Sequence, residues 1–122
     1  VVLPLMEVMN MIKIRVPNNG PLEGFLEMDI LERAKFLAPT IETDEDRDFD
    51  RAADIIRKGW DRSKGVLHFE DDHADVVVAA VITGINCLDD EIAYSDGDRE
   101  FIKINKALIA AANRMVATIR RQ

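Results

Sequence analysis

Apolar residues recur along this chain with two different periods, and these periods predict its structural elements. Residues 12–16 alternate apolar and charged side chains, which is the pattern of a half-buried strand. Residues 22–37 repeat their large apolar side chains at helical spacing, and Pro39 ends that helix. We also expect Val1 to Val8 to pair with the strand at 12–16, at a sheet edge because Pro4 cannot donate a hydrogen bond.

The second predicted helix has the clearest start signal in the sequence. Thr43 followed by Asp46 three residues later resembles a capping box, although Glu or Gln is the usual partner. Apolar residues between Phe49 and Trp60 then fall on one helical face, and residues 63–65 are predicted to close the helix. The short apolar run at 66–69 predicts a second strand.

The segment 76–88 fits two kinds of element. Its β-branched first half, Val76 to Ile82, would suit a buried parallel strand. The whole apolar segment, with its alanines, is longer than a typical strand, so we predict a buried helix. A last helix is predicted over 99–119, with Asp98 or Asp96 as its N-cap.

Together these elements predict one mostly helical α+β domain that spans residues 1–122. It would contain about four helices and a small antiparallel sheet near the N-terminus. The alternative is a small α/β domain in which Val76–Ile82 is a central strand. Hydrophobic residues make up 48% of the chain, which is enough for a core.

Composition narrows the classes of partner. The chain has 16 Lys and Arg against 23 Asp and Glu, a net charge of −7. This excess disfavours a broad surface for nucleic acid or anionic membranes, because such a surface needs clustered cations. No run of ~20 apolar residues predicts a membrane span. The single cysteine, Cys87, cannot form an internal disulfide, so we expect an intracellular, cytoplasmic protein.

One segment could hold a metal ion. Residues 68–75 contain two histidines and four carboxylates, and His73, Asp72 and Asp75 are the candidate ligands. With Asp29 or Glu45 from another element, they would serve a metal-dependent hydrolase. Acidic residues at a helix start also act as caps and complement the helix dipole, which explains the same pattern without a metal.

A basic cluster gives a second candidate site. Trp60 lies among four cations, Arg57, Lys58, Arg62 and Lys64. They predict a site for a small anionic ligand or nucleotide, although cations at a helix C-terminus also stabilise the helix dipole. No glycine-rich phosphate loop or other cofactor motif is present, so no cofactor is predicted.

The last helix carries two neighbouring apolar stripes. One begins at Phe101, and the second consists of Ile102, Ile109 and Val116. Either this helix is central, or one stripe packs internally while the second forms a homo-oligomer interface. The sequence therefore favours a non-enzymatic binding or regulatory protein over an enzyme. It would act through protein–protein contacts and self-association, and its acidic surface could engage a basic macromolecule.

Overall fold

The computed structural model describes residues 10–122. This part of the chain forms the following elements in order: β1 (Met11–Arg15), α1 (residues 21–37), α2 (Asp44–Gly59), β2 (Trp60–Asp61), β3 (Val66–Glu70), α3 (Ala74–Ala93) and α4 (Arg99–Arg121). The mostly helical α+β fold with a small antiparallel sheet is confirmed. The strand expected over Val1 to Val8 lies outside the described residues.

Within the described residues, β3 is the central strand of the sheet. It pairs antiparallel with β1 on one side and with β2 on the other. The register sets Ile12 opposite Phe69 and Ile14 opposite Leu67, and all four side chains are buried. The alternation of apolar and charged residues in β1 thus places one face of the strand on the core.

α1 is continuous but not uniform. It begins as α-helix at Pro21–Phe25, widens into π-helix over Leu26–Glu32 and returns to α-helix over Arg33–Leu37. A 3-10 turn that contains Pro39 follows it. The predicted helix over 22–37 is confirmed, whereas periodicity gave no sign of the π segment. Such segments mark places where side chains depart from α-helical register.

α2 begins as expected and ends earlier than expected. The Thr43 hydroxyl accepts a hydrogen bond of 3.1 Å from the Asp46 N–H, which confirms the N-cap. The helix ends at Gly59, not at residues 63–65, because Trp60 leaves it to pair with Leu67. Those three residues instead belong to the β2–β3 turn.

The segment 76–88, which fitted either a strand or a helix, lies within a helix. The alternative fold with Val76–Ile82 as a central strand is therefore wrong. α3 packs against both α2 and α4 and lies between them. Its buried residues are Val77, Val78, Ala80, Val81, Gly84, Ile85 and Leu88. At Gly84 the ring of Phe25 comes so close that a Cβ would lie 2.8 Å from its Cζ. The missing side chain therefore lets α1 approach the backbone of α3.

α4 is the longest element. Its N-cap is Asp98, whose carboxylate accepts hydrogen bonds from the Glu100 and Phe101 N–H groups. Its C-terminal half supplies most of its buried residues, including Met115 and Ile119. No helix in the described part of the chain is long and apolar enough to cross a membrane.

The junction of α2 and β2 yields a stability prediction. A Cβ at Gly59 would lie 1.9 Å from the backbone oxygen of His68, which cannot move without disturbing β3. We expect Gly59→Ala to lower the free energy of unfolding by several kcal/mol, of order ~3, as severe overpacking does. Urea denaturation measures this change.

Gly24→Ala is the matched control. Its Cβ would meet only the Leu108 side chain, at an ordinary 3.5 Å. Alanine should be neutral or stabilise by up to about 1 kcal/mol through its higher helix propensity. Equal effects of the two substitutions would contradict the packing described at Gly59.

Candidate functional site

Three of the four cations in the predicted basic cluster form ion pairs. Arg57 and Lys58 both pair with Asp54, at 3.5 and 2.9 Å. Arg62 pairs with Glu27 of α1 and lies over the Trp60 ring, 4.0 Å from its centroid. The remaining cation of the cluster, Lys64, is exposed on the β2–β3 turn. Three of the four cations are therefore engaged in ion pairs, and Arg57 and Lys58 lie in the last turn of α2, where cations stabilise the helix dipole.

The candidate metal ligands are not assembled either. His73 is half-buried, while Asp72 and Asp75 are exposed. Across residues 10–122, no three His, Cys, Asp or Glu side chains come together in a group that could hold a metal ion. Asp29 and Glu45 thus do not complete a site with His73, and the hydrolase hypothesis gains no support from this geometry.

The proposed oligomer stripe sits differently from the sequence expectation. Val116 is only 7% exposed and belongs to the core, while Ile109 and Ile102 are half-buried. The exposed apolar residues of α4 are instead Phe101, at 38%, and Ile104, at 53%. The helix packs with the second stripe turned inward because β1, α1 and α3 all contact it.

Positive charge is concentrated on α4. The helix carries six cations and one carboxylate, Glu100, a net charge of +5. Because the whole chain has a charge of −7, the remainder carries −12. All six cations are exposed and none forms an ion pair within the described residues. They are Arg99, Lys103, Lys106, Arg114, Arg120 and Arg121.

Acidic residues gather on the opposite side. The first turn of α2 contains Asp44, Glu45 and Asp46, and its exposed surface continues through Asp48 and Asp50. Since α3 lies between α2 and α4, the acidic start of α2 and the cations of α4 are on separate sides of the domain. The domain is therefore electrically asymmetric, a property that net charge conceals.

A groove of about 560 Å³ separates β1 from α4 on the basic side. Its cations are Lys13, Arg15 and Arg114, and no carboxylate lines it. The other lining residues are Ile14, Pro17, Gly20, Pro21, Leu22, Ala111, Met115 and Thr118. We define the basic face as the six cations of α4 together with Lys13 and Arg15. The groove joins the two parts of this face and offers an apolar floor between charged rims.

Sequence reasoning missed the basic face. Lys13 and Arg15 lie at one end of the chain and Arg114 near the other, so only the fold brings them together. One signal was present, namely the excess of cations over the single carboxylate within the last helix. The net charge of −7 for the whole chain hides this local excess of cations.

Asp29 is a charged residue within the core. It lies in the π segment, its side chain is 9% exposed, and its Oδ2 has no hydrogen-bond partner among the described residues. Burial raises the pKa of Asp29 to about 6; Arg33 opposes this shift, and the negative charge of Glu91 adds to it. Arg33 lies 3.8 Å from the other carboxylate oxygen. The Asp29 carboxylate therefore opposes folding when it is ionised.

The burial of Asp29 predicts an unusual dependence of the free energy of unfolding on pH. A folded pKa above the unfolded value of 3.8 means that the folded state holds its proton more tightly. The stability that the protonated Asp29 side chain contributes is fully present below pH 3.8 and is lost as pH rises through about 6. Asp29→Asn should remove this loss and raise the free energy of unfolding at pH 8, by at most about 3 kcal/mol.

Urea denaturation of both proteins at pH 5 and pH 8 checks this prediction. The advantage of Asp29→Asn over the wild type should be larger at pH 8. Asp72→Asn, which alters an exposed aspartate, is the control. A difference between Asp29→Asn and the wild type that stays constant with pH would contradict the prediction.

Comparison with known proteins found no family model, curated protein or solved structure that matches this chain. We therefore infer its function from the basic face and the groove.

Proposed function

We propose that this protein is a non-enzymatic binding protein that acts through protein–protein contacts and recognises an acidic segment of its partner at the basic face. The observation that carries the proposal is the separation of charge, with a net +5 on α4 against −12 elsewhere. Cations that form no ion pair within residues 10–122, on one side of an acidic domain, favour the approach of an anionic partner in one orientation.

The groove favours an acidic protein segment over nucleic acid. Its floor is apolar, with Ile14, Leu22 and Met115, and suits aliphatic side chains better than phosphates. No aromatic residue lines it for bases to stack on. A long polyanion would also extend past the basic face towards the acidic remainder. A short acidic segment would stay within the cationic surface and avoid the acidic remainder of the domain.

Self-association is the second proposal, and its supporting observation is different. Phe101 and Ile104 are exposed near the start of α4, where a second copy could cover them. A symmetric contact between two α4 helices would, however, bring two charges of +5 together. Like charges across an interface oppose association, so this contact should need salt.

An acidic peptide tests the first proposal. A short oligoglutamate should bind at low salt, and added salt should weaken the binding. Arg114→Glu should weaken it by roughly tenfold, which corresponds to the loss of about 1.4 kcal/mol. Fluorescence anisotropy with labelled peptide measures the affinity.

Two controls make that test specific. Arg51→Glu changes charge by the same amount at an exposed cation of α2, away from the groove, and should alter affinity by less than about twofold. An oligothymidylate of equal charge should bind more weakly than oligoglutamate. No binding of oligoglutamate, equal losses from the two substitutions, or tighter binding of the oligonucleotide would each overturn the proposal.

Light scattering at low and high salt tests self-association. The dimer fraction should rise with salt, because salt screens the cations of α4 while apolar contacts persist. Ile104→Asp should reduce the dimer fraction without unfolding the chain, since this side chain is 53% exposed. A monomer under all conditions would refute this second proposal.

A further inference from the structure

One edge of β1 is not paired with another described strand. The sheet order places β3 on only one side of β1. Even-numbered residues of this segment face β3, since the Val16 N–H donates to the Gly65 oxygen and the Asn10 oxygen accepts from the Asp71 N–H. Strand alternation then turns the N–H and carbonyl groups of the odd-numbered residues towards the open edge.

A side chain partly fills this edge. The Gln122 amide accepts a hydrogen bond from the Lys13 N–H at 3.3 Å and donates one to the Lys13 oxygen at 3.1 Å. These are the two bonds that a residue of an added antiparallel strand would make. The outward N–H of Arg15 has no hydrogen-bond partner among the described residues. Within residues 10–122, this edge therefore has one position held by an amide and another without a partner.

The side chains along this edge also alternate. Lys13 and Arg15 are exposed on the outer face of the sheet, whereas Ile12 and Ile14 are buried on the inner face. A strand added here would place alternate residues beside the two cations. Its other residues would face the side of Ile14 and the apolar floor of the groove.

We infer that the partner's acidic segment binds as an added β-strand on the open edge of β1, with its carboxylates beside Lys13 and Arg15 and its apolar residues in the groove. The partner strand displaces the Gln122 amide from Lys13 and takes the edge of β1 that the sequence predicts for Val1 to Val8. This inference rests on the proposed function and adds the mode of binding. Backbone hydrogen bonds hold the segment, and the alternation of acidic and apolar residues selects it.

A second copy of β1 is a poor occupant of the same edge. Two such strands would set Lys13 and Arg15 against their own counterparts. Like charges directly opposite each other destabilise a strand pair, whereas opposite charges stabilise it. Of these two occupants, the edge thus favours an acidic strand from a different protein.

Backbone methylation of a probe peptide separates strand pairing from charge attraction. The probe alternates Glu and Val, and two further peptides carry N-methyl groups on all Glu or on all Val residues. All three have the same charge. In an antiparallel addition the Glu N–H groups face β1, and in a parallel addition the Val N–H groups do.

We expect one methylated peptide to bind at least about tenfold more weakly than the unmodified probe, while the other keeps its affinity to within a few-fold. Equal affinities of all three peptides, or equal losses for both methylated ones, would overturn the added strand. The proposed function would still stand in that case if the unmodified probe binds and Arg114→Glu weakens it. Failure of the unmodified probe to bind would remove both proposals.

Two measurements on the protein complete the test. Gln122→Ala should tighten binding of the probe by a few-fold, because the partner no longer displaces an amide from Lys13. Amide exchange followed by NMR should show slower exchange of the Arg15 N–H in the complex. Weaker binding by Gln122→Ala together with unchanged exchange at Arg15 would contradict pairing at this edge.

Discussion

The close packing of the Phe25 ring against the backbone of α3 at Gly84 is the contact on which the arrangement of helices depends. Phe25 is fully buried, and a side chain at position 84 would occupy the space of its ring. Protein cores are packed too densely to absorb such an overlap without movement. The contact fixes the depth of α1 on α3, and α1 also packs against α4. Because Pro21 and Leu22 of α1 line the groove between β1 and α4, the placement of α1 also shapes that groove.

The separation of charge makes one side of this small domain acidic and another side basic. The start of α2 is acidic, α4 is basic, and the apolar helix α3 lies between them. The cations of the predicted basic cluster change this pattern little, because three of them pair with Asp54 or Glu27. A partner that approaches α4 consequently meets the basic face rather than the acidic start of α2. Such asymmetry affects the orientation in which a partner approaches more than it affects the final affinity.

The edge of β1 that pairs with no described strand adds a geometric requirement to this electrostatic one. Charge alone attracts any anion, whereas the backbone groups of a strand edge accept only an extended chain. Unprotected edges are a hazard for aggregation, and charged side chains are a common protection. Lys13, Arg15 and the Gln122 amide fit both roles, since they exclude a second β1 and admit an acidic strand.

The sequence by itself determined the features that depend on near neighbours in the chain. The apolar repeat of α1, the helix over 76–88 and the cap at Thr43 all arise from residues within a turn or two of one another. The helical class of the domain follows from the same local signals. The early end of α2 was missed because it depends on pairing between Trp60 and Leu67 and on the space at Gly59.

Only the tertiary structure decided which charges and apolar groups remain available. Val116 is buried and Ile104 exposed, although both belong to apolar stripes of one helix, because neighbouring elements cover one side of α4. Likewise, Arg62 pairs with Glu27 of α1, while Arg114 lines the same groove as the cations of β1. Periodicity specifies which side chains share a face, but burial and ion pairing are set by contacts between distant parts of the chain. The candidate site consists of such contacts, and for that reason only the fold revealed it.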